Sequence, residues 1–549
     1  MNVRVGKLGA NTMILTAASA QEIAATRVAV EFNDRSLDAT GQQPLRQIAA
    51  LLDPLAIAVV QAEVGIAPHQ LRCLNARPVA TRNVMSAHLP LVAGARPGAS
   101  ASAIAIAAAL AISSLIVGPA RADETCNSPY LAKLIKGQED YVHVWTLGVD
   151  GLGDGRDKLV TIDANPASKR YGKVVSSVSV PGARGEAHHM GFTDDRRFLW
   201  AGGLADSRIH VFDVGANPAK PKLVKTIANF TQQTGYVGPH TFYALPGRML
   251  IASLSNARDN GGVTGLATYN NRGQLIAKHD LPTGSVGTAQ GDGYGYDIAI
   301  SPAKNTMLTS SFTGRANYMR PLGELIGDAE AMKKFGNTMV VWDLKAMKPQ
   351  QVLAVPGAPL EIRWSLKAGD NWAITATALT SKLWLVKPGA DGTTWQAKEV
   401  GTIGDPAKIP LPVDISISAD GKGLWVNTFM DGMTRYFDLS NPEAPKQVYE
   451  KQTGKQVNMI SQSWDGKRVY VTSSLLEKWD KGGADNEQFL RAFKWDGKEL
   501  TPAFEVDFTK EKLGRAHHMK FSAKSSGKSM AQIGAQQMAQ QISQVSGAR

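Results

Sequence analysis

A unit of short strands recurs along most of this chain and limits the folds open to it. Its clearest copies run from Thr193 to Ile227 and from Ser418 to Lys451. Each copy has a turn with Asp and Gly or Arg, an apolar strand, a second strand that ends in an acidic residue, and a third strand after a Pro-containing turn. Runs of β-branched and aromatic residues between Gly, Pro, Asn and Asp clusters are typical of strands. From about residue 140 onward the sequence therefore predicts an all-β domain.

About seven units can be counted, because weaker copies begin at Lys158, Gly265, Asn337, Ser381 and Trp464. Each unit is a small antiparallel sheet that cannot bury both faces alone, and units of this length arranged radially form a β-propeller. We predict a seven-bladed β-propeller over residues 140–521, with six or eight blades as alternatives. A propeller removes its free sheet edges by closing, usually with one blade built from both ends of the domain. We therefore expect Tyr141–Leu147 to lie near the segment after Arg515.

An apolar run, ASAIAIAAALAISSLIVGPARA, precedes the repeats from Ala101 to Ala122. It ends in Ala120-Arg121-Ala122, which has the A-x-A form of a signal-peptidase site. We interpret residues 85–122 as a signal peptide that starts at Met85, and we expect a periplasmic protein that leaves the membrane once the signal is cleaved. The alternative is an uncleaved membrane anchor, since the run approaches the length that spans a bilayer.

The signal peptide divides the rest of the chain. Residues 1–84 lie upstream of it and are expected to be mis-started or disordered sequence. Residues 123–139 would begin the mature protein, and residues 522–549 read as a polar tail rich in Ser, Gln, Ala and Lys.

Charge and cysteine content argue against a nucleic-acid-binding protein and against a disulfide-stabilised one. The formal net charge is +12, but the 60 Lys+Arg and 48 Asp+Glu are scattered, without an Arg-rich stripe interleaved with aromatic residues. This argues against a nucleic-acid partner. Only Cys73 and Cys126 occur, and Cys73 precedes the signal. The mature chain then has one cysteine and no internal disulfide, so its packed core must hold it together.

Histidines are concentrated where the innermost strands of the predicted blades start. The chain has 10 His, and Ala-His-His-Met occurs twice, with His188 and His189 in one copy and His517 and His518 in the other. His240 follows a Gly-Pro turn in VGPHTFY. Consecutive residues of a regular strand point to opposite faces, so a doubled histidine can share one ion only where the backbone is irregular.

Converging imidazoles select copper, zinc, iron or nickel over magnesium or calcium. We therefore predict a metal site with ligands from the blade starts, and the candidates are His188, His189, His240 and His517, with His518 and His143 as further candidates. The alternative for each histidine is a buried ring satisfied by neighbouring backbone groups. His210 and His279 are interpreted in that structural way.

Other residues near the strand starts have subsidiary roles in this interpretation. Met190 and Met519 follow the doubled histidines and are expected to fill the core, although a thioether also suits Cu(I). Five carboxylates could orient the imidazoles or bond to turn amides, and they are Glu186, Asp292, Asp297, Glu361 and Asp414. The mature sequence has no G-x-S-x-G, H-E-x-x-H, Walker or dinucleotide motif, which argues against hydrolase and nucleotide functions. A general base cannot be identified.

Several longer stretches run in one order from about Glu139 to Phe521, and among them are EAHHMGF, GPHTFY, PLEIRW, SWDGKRVYVTSSLLEKWDK and the second AHHM. Through them the sequence resembles the selenium-binding protein family, whose bacterial members include methanethiol oxidases. The resemblance implies a seven-bladed propeller and copper held by His188, His189, His240 and His517. It also implies that a small thiol and O2 are the substrates, with methanethiol giving formaldehyde, hydrogen sulfide and hydrogen peroxide.

The chain departs from the family pattern in two places. The selenium-associated cysteine of the family falls here at about Thr146, so capture of selenium or a thiol by that residue is not available. The family usually has His-Glu where this chain has His517-His518, and the ending of the chain differs as well. The leading hypothesis is a copper-dependent oxidase of a small thiol. The alternatives are a non-catalytic periplasmic propeller that binds or delivers copper, and an interaction scaffold with structural histidines.

Overall fold

The computed structural model describes residues 2–7, 12–18, 26–31, 128–132, 137–182, 184–367, 369–418, 420–480 and 487–523. The chain divides into two compact units, Met1–Ile106 and Ala107–Arg549. In the first unit, three strands pair antiparallel in chain order, and they are β1 (Asn2–Lys7), β2 (Thr12–Ala18) and β3 (Thr26–Glu31). The predicted signal peptide and the tail beyond residue 523 lie outside the described residues, so both stay predictions.

The second unit contains seven four-stranded antiparallel sheets. Blades are numbered in chain order, and blade 1 contains β4 (Tyr141–Leu147), β5 (Lys158–Asp163) and β6 (Val174–Ser179). Blade 2 contains β7 (Ala187–Phe192), β8 (Phe198–Gly203), β9 (Ile209–Asp213) and β10 (Lys222–Ile227). Blade 3 contains β11 (Tyr236–Leu245), β12 (Arg248–Asn256), β13 (Gly265–Asn270) and β14 (Leu275–Asp280). A hairpin of β15 (Ser285–Val286) and β16 (Ala289–Gln290) follows blade 3.

Blades 4 to 7 continue the same order. Blade 4 contains β17 (Ile298–Ser301), β18 (Thr306–Thr309), β19 (Thr338–Asp343) and β20 (Lys348–Ala354), and blade 5 contains β21 (Pro359–Trp364), β22 (Ala373–Thr377), β23 (Lys382–Pro388) and β24 (Trp395–Thr402). Blade 6 contains β25 (Pro412–Ile417), β26 (Gly423–Thr428), β27 (Met433–Asp438) and β28 (Lys446–Gln452). Blade 7 contains β29 (Ile460–Gln462), β30 (Arg468–Thr472), β31 (Phe489–Trp495) and β32 (Leu500–Asp507). The last strand, β33 (Arg515–Ser522), returns to blade 1.

The ring closes through this last strand. β33 pairs antiparallel with β4, from Arg515 opposite Leu147 to Ser522 opposite Tyr141, and gives blade 1 the order β33-β4-β5-β6. A buried ion pair lies beside the closure, because Arg468 Nη2 in blade 7 donates to Glu139 Oε1 at 2.8 Å, just before β4. The seven-bladed propeller and its closure by both ends of the domain are thus confirmed, and the alternatives of six or eight blades are excluded.

The hydrophobic core lies between neighbouring blades. Trp200 of blade 2, for example, packs in one cluster with Ile251 and Tyr269 of blade 3. The inner strands are buried on both faces, whereas the outermost strand of blade 3, β14, alternates between half-buried and exposed residues. This explains why the inner strands read as continuous apolar runs in the sequence.

The described helices are short, and they are α1 (Pro129–Ala132), α2 (Phe230–Thr234), α3 (Arg315–Tyr318), α4 (Leu322–Ile326) and α5 (Ala329–Met332), with 3-10 turns at Pro302–Lys304 and Pro406–Lys408. The three helices α3 to α5 lie in the insertion between β18 and β19. Within the described ranges, no helix has the length and apolar character needed to cross a membrane.

Candidate metal centre

Five of the six candidate histidines lie together on the innermost strands of three neighbouring blades. His188 and His189 are on β7, His240 is on β11, and His517 and His518 are on β33. β7 contacts both β11 and β33. The ring centroids of His188 and His517 are 3.8 Å apart, and those of His189 and His240 are 3.9 Å apart. The two Ala-His-His-Met segments therefore lie side by side on the innermost strands of blades 1 and 2, and the return of β33 to blade 1 brings them together.

Irregular backbone at each strand start lets consecutive residues share this site. In blade 2 the pairing jumps from Ala187 opposite Gly203 to Met190 opposite Ala201, so that His188 and His189 occupy a bulge. The register also shifts beside His240 in β11 and at His517 in β33. A bulge re-aims side chains that a regular strand would send to opposite faces. As a result, the rings of His188 and His189 stack at 4.9 Å.

The ring nitrogens in this cluster suit a metal ion. Candidate ligand atoms of His188, His189 and His517 all lie within 4.8 Å of one another. Several buried nitrogens have no hydrogen-bond partner among the described residues, namely His188 Nδ1, His240 Nε2, His517 Nε2 and both ring nitrogens of His518. Each buried polar atom without a partner costs about 1–3 kcal/mol. A metal ion would account for one nitrogen of each ring, because a neutral imidazole offers a single lone pair.

Burial keeps the five imidazoles neutral, which is the form that binds metals. Desolvation is the main cause that lowers the pKa of each, to about 3 for His517. Repulsion between the clustered rings lowers the pKa values of the other four further.

Neighbouring groups fix the orientation of two of these rings. His240 Nδ1 lies 3.1 Å from the carbonyl oxygen of Tyr296, so donation there leaves the lone pair on Nε2. His517 Nδ1 lies 3.2 Å from the side-chain amide nitrogen of Asn458, which itself donates to Ser474 O at 2.6 Å. In His240, Nε2 is thus the nitrogen left for a ligand, and a carbonyl partner on the other ring nitrogen is typical of metal-binding histidines. In His517 the Asn458 amide holds the ring in place.

A buried charge network lies beside His189. Arg363 Nη1 is 3.1 Å from Glu361 Oε2 and 3.3 Å from Asp297 Oδ2, while Nη2 is 2.9 Å from Asp414 Oδ1. Three of the five carboxylates considered in the sequence thus surround one guanidinium. Glu361 Oε1 reaches to 3.9 Å from His189 Nε2. The network therefore places negative charge next to the histidines, which favours a cation among them.

An apolar chamber lies beside His188. It is a small cavity of about 20 Å³, and residues of blades 2 to 6 and of the insertions after β18 and β30 line it, among them Tyr296, Leu360, Val413, Phe312 and Trp479. In two strands, one residue lines the chamber and the next residue belongs to the charge network. Leu360 lines the chamber while Glu361 joins the network, and Val413 and Asp414 divide in the same way. The histidine cluster thus has an apolar side and a charged side.

The other candidate residues, His143, Met190 and Met519, have partners or packing outside the histidine cluster. His143 Nδ1 lies 2.9 Å from Thr161 Oγ1, and Nε2 lies 2.8 Å from Ser522 Oγ, so hydroxyl groups occupy both ring nitrogens. Met190 and Met519 are fully buried in hydrophobic clusters.

The other two carboxylates bond to backbone amides. Glu186 accepts a bond from the amide of Glu477, and Asp292 accepts one from the amide of Asn337. Thr146, near which the sequence resemblance places the family's cysteine, donates to Val144 O within β4.

Sequence reasoning missed two residues of the site. The ring of Tyr296 lies 4.0 Å from that of His240, and Arg363 holds three carboxylates. Tyr296-Asp297 occupies in blade 4 the place that His188-His189 occupies in blade 2, so an alignment of the strand starts would have found it. The signal for Arg363 is a lone cation inside the strand PLEIRW.

Comparison with known proteins gives consistent results. The profile of the 56 kDa selenium-binding protein family matches residues 120–529. The chain is 64% identical over 422 residues to a methanethiol oxidase of a Hyphomicrobium species, covering 77% of this chain and 95% of that protein. It is 57% identical over 426 residues to a methanethiol oxidase of Ruegeria pomeroyi, covering 76% and 97%.

A crystallographic relative supports the fold. The X-ray structure of a hypothetical selenium-binding protein from Sulfolobus tokodaii superposes with a TM-score of 0.62 at 24% sequence identity, over 73% of this chain and 99% of the other.

Proposed function

The chain belongs to the 56 kDa selenium-binding protein family, and we propose that it is a methanethiol oxidase that holds copper in its histidine cluster. In the reaction the C–S bond and one C–H bond of methanethiol break, the carbon forms a double bond to the oxygen of water, and two electrons and two protons pass to O2. Formaldehyde, hydrogen sulfide and hydrogen peroxide are the products. The observation that carries the activity is the 64% identity to a methanethiol oxidase across 95% of that protein.

The residues present fit copper. The candidate ligands are neutral imidazoles, which suit copper, and buried ring nitrogens without hydrogen-bond partners converge from β7, β11 and β33. His188, His189, His240 and His517 would hold the ion, with His518 beside them. Bound copper would supply a positive centre that favours the thiolate form of the substrate and exchanges electrons with oxygen.

Residues around the histidine cluster orient the candidate ligands and shield the site from water. The carbonyl of Tyr296 and the amide of Asn458 orient His240 and His517. Arg363 holds Glu361 towards His189, so the charge that balances a cation is already in place. The apolar chamber beside His188 keeps bulk water away from the reacting sulfur.

We also propose that the protein is exported to the periplasm. The support is the apolar run that ends in Ala120-Arg121-Ala122, which predicts cleavage before Asp123. Amino-terminal sequencing of the protein from a periplasmic extract tests this. A mature protein that begins at Met1, or one found with the membranes, would contradict it.

The test of function combines metal analysis with turnover. Protein purified with copper available is expected to contain near-stoichiometric copper and to consume oxygen when methanethiol is added, with release of formaldehyde and peroxide. The triple variant His188→Ala, His240→Ala, His517→Ala should lose both properties. The matched control is His210→Ala, a buried histidine that lies 3.1 Å from Thr226 Oγ1 instead.

The outcomes separate the candidate functions. Copper-loaded protein that takes up no oxygen with methanethiol would favour a protein that binds or delivers copper. Absence of any transition metal in the wild type would mean that the histidines are structural.

A further inference from the structure

Each blade contributes one residue, near the start of its innermost strand, to the histidine cluster or to the chamber beside it. In chain order these residues are His188, His240, Tyr296, Leu360, Val413, Asn458 and His517. The histidines thus belong to blades 1 to 3, while Leu360 and Val413 belong to blades 5 and 6. In a ring of seven blades, blade 2 faces the gap between blades 5 and 6. A molecule held at His188 therefore has Leu360 and Val413 opposite it, and all three residues line the same chamber.

Two insertions close this chamber. Phe312, after β18, and Leu475, Leu476 and Trp479, after β30, form part of its wall. Trp479 Nε1 donates to Arg320 O at 3.0 Å and so joins the two insertions. The enclosed space of about 20 Å³ is small, so a bound molecule meets the side chains of the wall directly.

We propose that Leu360 and Val413 hold the alkyl group of the thiol and set the length of alkyl chain that the enzyme accepts. The inference rests on the proposed function and names the specificity-determining residues of that site. On the other side of the histidines, Arg363 and three carboxylates occupy the space next to His189. A methyl group there would separate charged groups from their partners, which is costly. With its sulfur at the histidines, the thiol therefore directs its carbon into the chamber.

The apolar wall determines how strongly the enzyme should discriminate between thiols of different alkyl length. An apolar pocket that fits one alkyl group discriminates against one extra methylene by about 10–200-fold. Leu360 and Val413 are 3% exposed and belong to one packed cluster, so the wall resists displacement. Truncating either side chain opens room for the second and third carbon of a longer thiol without touching a candidate copper ligand.

The experiment compares methanethiol, ethanethiol and 1-propanethiol as substrates of copper-loaded wild type, Leu360→Ala and Val413→Ala. In both variants the ratio of kcat/KM for ethanethiol to that for methanethiol is expected to rise at least about tenfold, with copper content unchanged. Calorimetric titration of the reduced, copper-loaded proteins without oxygen measures binding of the same thiols apart from turnover. The ratio of association constants should rise in the same direction.

The matched control is Leu383→Ala. Leu383 is a fully buried leucine in β23 of the same blade, and it packs between blades 5 and 6 rather than at the channel. This variant should keep the wild-type ratios. Leu360→Val serves as a milder variant if Leu360→Ala does not fold, and it should raise the ratio by a smaller factor.

Two results would overturn the inference. The first is that the wild type oxidises methanethiol but Leu360→Ala and Val413→Ala keep the wild-type ratio of kcat/KM for ethanethiol to that for methanethiol. The other is an equal change of preference in Leu383→Ala, which would indicate general loosening. If no thiol supports oxygen uptake in the wild type, the proposed function fails, and the calorimetric preference alone then decides whether the chamber selects alkyl length.

Discussion

Glu361 and His189 meet across the channel although they belong to blades 5 and 2, and Glu361 Oε1 lies 3.9 Å from His189 Nε2. Arg363 holds the other oxygen of the same carboxylate at 3.1 Å. The carboxylate therefore lies between a guanidinium and an imidazole, and its second oxygen is too far from His189 Nε2 for a hydrogen bond but close enough for an electrostatic interaction. This relationship links the charge network of blades 4 to 6 to the histidines of blades 1 to 3.

Replacing Glu361 should weaken copper binding without unfolding the protein. Glu361→Gln keeps the shape of the side chain but removes its charge beside the histidines, and mutation of groups that surround the ligands of a metal typically costs about 10–100-fold in affinity. We expect a fall of about that size in competition with a copper chelator. Asp292→Asn is the matched control, because that carboxylate bonds to Ser311 and the Asn337 amide. Equal affinities of the two variants would contradict the role of Glu361.

Substitution of His240 should remove bound copper, whereas substitution of His143 should not, because His240 is a candidate ligand and His143 has a structural role. His240→Ala removes a buried Nε2 that points into the cluster without a hydrogen-bond partner among the described residues, so bound copper and methanethiol-dependent oxygen uptake should fall together. His143→Gln removes a ring held by Thr161 and Ser522, so copper content and turnover should stay near those of the wild type. Metal analysis of the two purified variants checks this, and loss of copper in His143→Gln would place His143 in the metal site.

The sequence allowed the fold and the set of clustered histidines to be predicted because both depend on local patterns. Strand units recur at readable intervals, and closure of the ring brings the strand at Arg515 to that at Leu147. The doubled histidines demanded irregular backbone, and the structure has a bulge at His188 and His189. The chamber and the Arg363 network depend instead on contacts between distant segments. Trp479 and Arg320, for example, are 159 positions apart, and no local pattern predicts that they meet.

His143 gives the stability of the metal-free protein a defined pH dependence. Burial, together with Arg196 nearby, lowers the pKa of His143 from 6.5 to about 3. The unfolded chain therefore binds a proton on this ring below about pH 6.5 while the folded protein does not. The stabilising contribution is complete above that pH and is lost as the pH falls towards 3, by up to about 1.4 kcal/mol per pH unit. The stability difference between wild type and His143→Gln, measured by urea unfolding, should shrink between pH 6 and pH 4, and a constant difference would contradict this.

The ion pair between Glu139 and Arg468 should be a main determinant of ring closure. Glu139 is fully buried just before β4, and it accepts a hydrogen bond from Arg468 in blade 7 and one from the amide of Trp464. Burial raises the pKa of Glu139 although Arg468 opposes the shift, so the charge depends on its partner. Glu139→Ala leaves Arg468 with the partly exposed carboxylate of Asp465 at 3.3 Å. Removal of one partner of a buried pair typically costs about 3–5 kcal/mol, so we expect a loss towards the lower end of this range.

The measurement is the free energy of unfolding of Glu139→Ala in urea, with Glu330→Ala as the control. Glu330 pairs with Lys333 on the surface at 2.6 Å with both side chains largely exposed, and an exposed pair contributes about 0–1 kcal/mol. A large loss in Glu139→Ala and a small one in Glu330→Ala are expected. Because Glu139 joins the first strand of the propeller to the last complete blade, the loss should appear as a lower midpoint of one cooperative transition. Equal, small losses in both variants would show that the pairing of β33 with β4 closes the ring without help from this ion pair.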